Sequence, residues 1–145
     1  SQVGNMIVSA SLAEEVLNIF EELYQVGFPI EKMRLPCEYG GIDEASMSDN
    51  NTSAFNDRPL NAEGGLSYHQ LGTAIDINPL YNPYINLSTL EVQPKDGEPY
   101  LDRENFYKGM ILPDSDCVKI FKKYGWIWGG DWNSVKDYQH FEKHL

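Results

Sequence analysis

The sequence predicts an α+β fold in which two helices frame a set of short strands, and three observations lead there. Apolar residues recur at helical spacing near the start of the chain, at Leu12, Val16, Ile19, Phe20 and Leu23, and again near its end at Val118 and Phe121. Between these stretches the pattern changes to brief β-branched and aromatic runs bounded by Gly, Asn, Asp and Pro. No repeat, low-complexity tract or linker interrupts the 145 residues, so a single domain over 1–145 is expected.

Taken in order, the first helix is expected to open at Ser11, where Ser11 and Glu14 match a capping box, and to stop at Gly27. Strand candidates follow at residues 32–35, 52–56, 73–78, 126–128 and 138–142. The second helix is placed at residues 115–124, started by Pro113 and capped by Asp114 or Ser115, with Gly125 as its stop. Two connections, residues 38–51 and 82–110, are long enough to be read as functional loops. Trp126, Trp128 and Trp132 are assigned to core and cleft wall, and His144 to a frayed, exposed end.

Composition narrows the partners. Hydrophobic residues make up 41% of the chain, enough for one core. The 22 Asp and Glu against 11 Lys and Arg give a formal charge of -11, which repels a phosphate backbone and argues against nucleic acid. No apolar run approaches the roughly 20 residues of a membrane span, and the first residues do not resemble a signal peptide. A chain opening at Ser1 is compatible with a trimmed, exported product. Cys37 and Cys117 are read either as one disulfide or as two buried thiols, and they lack metal-ligand spacing.

The chemistry concentrates around two histidines. His69 lies in the run from Ser67 to Asp76, and His140 in the run from Asp137 to Glu142. Two imidazoles and one carboxylate match a catalytic zinc site, which keeps three protein ligands and an open position. Gly72 permits a sharp turn after His69, so that residues 73–78 run as a strand with Asp76 on one face and Ile75 and Ile77 on the other. A carboxylate in so apolar a strand needs a cation or several hydrogen bonds. His140 follows Asp137 by three positions, an odd separation that requires a bend if both are to face one site. Asp137 would then sit at the mouth of the last strand and take a proton from a metal-activated water, as a general base. Of Arg34, Arg58 and Arg103, Arg58 is the choice for steadying the oxyanion.

These residues resemble a family of bacterial zinc peptidases. It includes D-alanyl-D-alanine carboxypeptidases, vancomycin-resistance dipeptidases, and the L-alanyl-D-glutamate endopeptidases of phage endolysins and cell-wall enzymes. The resemblance runs from about residue 46 to 142, through Asn51-Thr-Ser-Ala-Phe-Asn-x-Arg58, Ser67-x-His69-x-x-Gly72-x-Ala74-x-Asp76, Asn82-Pro-Tyr84, Trp128-Gly-Gly-Asp-Trp132 and Asp137-x-x-His140-Phe-Glu142. It implies one catalytic Zn²⁺ on His69, Asp76 and His140, Asp137 as base, and Arg58 polarising the substrate carbonyl. It also implies a small antiparallel sheet flanked by helices, the hedgehog-like fold of zinc D-Ala-D-Ala peptidases. Ser67 would line the site and Tyr84 would shape the substrate cleft. Asp57 departs from the family pattern, where many relatives carry a cysteine.

The substrate so implied is the peptide stem of peptidoglycan, which places the protein in the cell envelope or outside the cell. Carboxypeptidase action on D-alanyl-D-alanine is the preferred expectation, and L-alanyl-D-glutamate endopeptidase action the alternative. A zinc-stabilised binding module without catalysis is the competing class; the presence of both Asp137 and Arg58 argues against it.

Overall fold

In the computed structural model, which describes residues 2–56 and 67–145, two amphipathic helices and a three-stranded sheet share an apolar core. Helix α1 (Ala13–Gln25) buries Val16, Ile19 and Leu23, the face its spacing predicts, while Leu17 and Tyr24 are exposed. Helix α2 (Asp43–Ser48) is short and lies within the first long connection. Helix α3 (Asp116–Lys123) is capped by Ser115, whose Oγ accepts from Val118 N, and it buries Cys117, Val118, Ile120 and Phe121 against α1 and the sheet. Both predicted glycine stops are realised by paired backbone bonds: Phe28 N to Leu23 O and Gly27 N to Tyr24 O, then Trp126 N to Phe121 O and Gly125 N to Lys122 O.

Among the described residues six short strands form two antiparallel sheets: β1 (Ala74–Asp76), β2 (Tyr84–Asn86), β3 (Val92–Gln93), β4 (Ile127–Trp128), β5 (Val135–Asp137) and β6 (His140–Glu142). One sheet has the order β1-β6-β4 and the other β3-β2-β5. The first lies on the core, with Phe141 stacked on Phe121 at 3.9 Å between ring centroids and Ile75 fully buried. Only Tyr138 and Gln139 separate β5 from β6, so the chain changes sheets in a two-residue corner.

Several expectations are corrected. The Ser11 capping box does not form: a 3₁₀ helix over Ala10–Leu12 runs directly into α1, and Ser11 Oγ pairs with Ser9 Oγ. Residues 32–35 make only an isolated bridge at Lys32, because Arg34 N donates to the Asn51 side chain and Pro36, without an N–H, opens a 3₁₀ helix (Pro36–Tyr39). Residues 52–56 flank β1 but pair with it only at Ser53, which exchanges two backbone bonds with Asp76. The connection 82–110 contains β2, β3 and a 3₁₀ helix (Lys95–Leu101). The expected single sheet is two. Cys37 and Cys117 are both free, Cys117 buried and Cys37 exposed, so neither the disulfide nor the pair of buried thiols occurs. Trp126 and Trp128 are core residues as expected.

A buried polar hub fixes the long connection. Asn82 Nδ2 donates to Asn78 O and Gly109 O, while its Oδ1 accepts from Ile111 N and Arg103 Nη2. Arg103 also donates to the carbonyls of Tyr81, Tyr100 and Ile111, and its guanidinium lies 4.2 Å from the Tyr138 ring centroid. Burial brings this guanidinium down to about 10, against the favourable effect of Tyr138, so it stays charged at neutral pH. The hub therefore braces the corner between β5 and β6. Among the described residues no helix is long and apolar enough to cross a membrane.

Candidate metal centre

Strand register brings half of the site together. Asp76 on β1 stands directly opposite His140 on β6, and Ala74 stands opposite Glu142. Directly opposed residues share a face, so Asp76, His140 and Glu142 lie on one side and Ile75 and Phe141 on the core side. His69 arrives from a turn. Gly72 closes that turn with φ +71°, and a Cβ there would lie 2.5 Å from Ser9 N, so both backbone shape and the close approach demand glycine. Thr73 N returns to Tyr68 O at 2.9 Å, which completes the turn and leads into β1.

Three buried side chains converge. His69 Nε2 lies 3.2 Å from Asp76 Oδ2 and 3.2 Å from His140 Nδ1, and His140 Nδ1 lies 3.2 Å from Asp76 Oδ1. One ligand atom from each residue falls within 4.8 Å of the others. Zinc bonds of about 2.0–2.1 Å in a tetrahedron require ligand atoms about 3.3–3.4 Å apart, close to the 3.2 Å between the two ring nitrogens and from each of them to one oxygen of Asp76. The remaining ring nitrogens face away and are engaged: His69 Nδ1 with Ala54 O at 2.7 Å, and His140 Nε2 with Glu142 Oε1 at 2.8 Å. Each ring thus turns one nitrogen to the shared point and anchors the other, the usual arrangement of a histidine ligand.

The electrostatics suit a cation. Burial works against ionisation of Asp76, but the two imidazoles outweigh it and hold the carboxyl far below the usual range. Burial likewise opposes charge on His140, yet its hydrogen bonds to Asp76 and Glu142 and the charge of Asp137 push it up to about 10. Glu142 is lowered despite burial, through its bonds to His140 and His144. The metal-free site therefore carries a proton where a divalent ion would place its charge.

The other predicted site residues stand as follows. Asp137 closes β5, and its Oδ2 is 3.9 Å from His140 Nδ1, beside the convergence point and outside the three-atom set. The bend that its spacing to His140 required is the corner between the two sheets. Tyr84 on β2 is directly opposite Asp137; burial raises its hydroxyl, Asn86 opposes this, and the charge of Asp137 adds to the rise. Ser67 Oγ accepts from Gln70 N, and Ser67 N donates to Gln70 Oε1, each at 3.2 Å. Arg58 lies outside the described residues. Trp132 is 5.4 Å from His140 between ring centroids, at the edge of the site.

Sequence reasoning missed two contributors. Glu142 was given no role, although its position two residues from His140 on a strand put it on the ligand face. His144 is exposed as expected, yet it is not frayed: it donates to Glu142 Oε2 and stacks on Tyr68 at 4.6 Å.

The three converging side chains make a site that could hold one metal ion. A family model for D-alanyl-D-alanine carboxypeptidases matches residues 61–143, and the chain belongs to this M15 family of zinc peptidases. Among curated proteins, the peptidoglycan L-alanyl-D-glutamate endopeptidase CwlK of Bacillus subtilis (strain 168) is 40% identical over 84 residues, which cover 56% of this chain and 41% of CwlK. The match thus spans less than half of that relative's length. No solved structure matches.

Proposed function

We propose that this protein hydrolyses the L-alanyl-D-glutamate bond in the peptide stem of peptidoglycan, using one Zn²⁺ held by His69 Nε2, His140 Nδ1 and Asp76. The observation that carries the metal reading is the convergence of one buried ligand atom each from His69, Asp76 and His140 within 4.8 Å of one another, with the other ring nitrogen of each histidine already anchored. The 40% identity to CwlK supports the endopeptidase bond over the carboxypeptidase bond.

Bound zinc supplies Lewis acidity, polarising water and the scissile carbonyl. Asp137, next to the ligand set, removes the proton of the attacking water and delivers it to the departing amine, so that one amide and one water give one acid and one amine. Trp132 walls one side of the site, and Tyr84 flanks the carboxylate of Asp137. Arg58 is assigned to the carbonyl oxygen, and Ser67 to the rim of the cleft. The residues 1–145 act as one catalytic domain of the hedgehog-like zinc peptidase fold, at the cell envelope where this substrate is found.

Incubation with purified muropeptides and mass spectrometry of the products tests the bond. Products that leave L-alanine on the glycan and release a peptide beginning with D-glutamate are expected. Loss of a single terminal D-alanine would favour the second reading, carboxypeptidase action, which the description of the matching family supports. Zinc-loaded protein that cleaves neither bond would favour a binding module.

A further inference from the structure

We propose that Glu142 is a positioning residue for the metal centre: its carboxylate fixes the His140 ring so that Nδ1 faces the metal position, and His144, stacked on Tyr68, fixes that carboxylate. The inference rests on the metal reading above. An imidazole can present either nitrogen, and the nitrogen that carries the hydrogen is decided by the bond the other side makes. Nε2 of His140 lies 2.8 Å from Glu142 Oε1, so once Nδ1 gives up its proton to a metal the remaining hydrogen stays on Nε2 and the Nδ1 lone pair points to the place shared with Asp76 and His69.

Both oxygens of Glu142 are used, since Oε2 accepts from His144 Nε2. Glu142 itself is 8% exposed, a placement that leaves a carboxylate dependent on its partners. The strand explains how it gets there. Residues two apart on β6 share a face, and Glu142 stands between Ala74 on β1 and Ile127 on β4. Tyr68, the stacking partner of His144, immediately precedes His69, and its carbonyl accepts from Thr73 N. The chain Tyr68, His144, Glu142, His140 therefore ties the turn that carries one imidazole to the strand that carries the other. By contrast, His69 Nδ1 is anchored on the carbonyl of Ala54, an acceptor supplied by the main chain.

The test uses the full chain as wild type, E142A, E142Q and H144A, with zinc affinity measured by competition with a chromophoric chelator and histidine ring states read by long-range ¹H–¹⁵N correlation. E142A is expected to weaken zinc binding about 10–100-fold. E142Q, whose amide oxygen still accepts the Nε2 hydrogen, recovers most of that loss, and H144A loses less than E142A. In zinc-loaded wild type, His140 is expected to carry its hydrogen on Nε2. Should E142A fail to fold, E142Q and the wild-type ring state decide. Zinc-binding wild type with the hydrogen on Nδ1 of His140, or a folded E142A of wild-type affinity, overturns the role of Glu142 alone. Wild type that takes up no zinc overturns the metal reading beneath it.

Discussion

His69 and His140 reach one point from opposite kinds of backbone. His140 projects from the central strand of the β1-β6-β4 sheet, where the register with β1 sets it against Asp76 and the two-residue period sets it beside Glu142. His69 projects from a turn whose shape depends on Gly72 passing close to Ser9 and on Ala54 presenting its carbonyl. The strand-borne half is built from local alternation. The turn-borne half is built from contacts between segments distant in sequence. One site is thus held partly by register and partly by tertiary packing, and variants can separate the two.

The largest effect is expected at the residues that join the halves. Asp76→Ala and His140→Ala should each reduce bound zinc to background, read by atomic absorption after gel filtration, because two ligands cannot hold the ion against water and chelator. A variant retaining one zinc per chain would remove that residue from the site. Next comes Asp137→Ala, which stands on the other sheet. It should lower muropeptide turnover by about 10²–10⁴-fold while zinc content is unchanged, and near-full turnover would exclude Asp137 as the base.

A smaller effect is expected from the hub that braces the corner between the sheets. Asn82→Ala removes the acceptor of Ile111 N and Arg103 and the donor to Gly109 O, and should cost about 3 kcal/mol in urea unfolding of the zinc-free protein. A loss below about 0.5 kcal/mol would show that the hub does not hold the corner.

The smallest effect is graded with pH. His140 is pushed up to about 10, so at neutral pH the metal-free protein carries a proton that zinc must displace. Zinc affinity should accordingly rise with pH, by up to about tenfold per unit below about 10, with proton release visible as a buffer-dependent binding heat. The sign for stability is opposite. A raised folded-state value stabilises the metal-free protein fully below the ordinary histidine value of about 6.5, and this contribution is lost as pH rises through about 10. Zinc affinity independent of pH between 6 and 8 would contradict the protonated site.

How far these features were legible in the sequence follows the same division. The helices were readable because apolar spacing and glycine stops are local signals, and Val16, Ile19, Leu23, Val118 and Phe121 are all buried. Asp76 between Ile75 and Ile77 announced a carboxylate facing away from the core, and the strand obeys that alternation. The same alternation in His140-Phe141-Glu142 puts Glu142 on the ligand face with His140. The strand expected at 32–35 failed for a tertiary reason: the Asn51 side chain takes the N–H of Arg34 that a ladder would have used. The Arg103 and Asn82 hub was illegible because its partners, from Asn78 to Ile111, meet only in the folded chain.

X-ray crystallography of the zinc-loaded protein with anomalous scattering at the zinc edge tests the central claim most directly. One ion per chain is expected, bonded to Nε2 of His69, Nδ1 of His140 and a carboxylate oxygen of Asp76, with Glu142 still on Nε2 of His140. An ion bonded through Nε2 of His140 or through Glu142, or lying away from these three side chains, would contradict it.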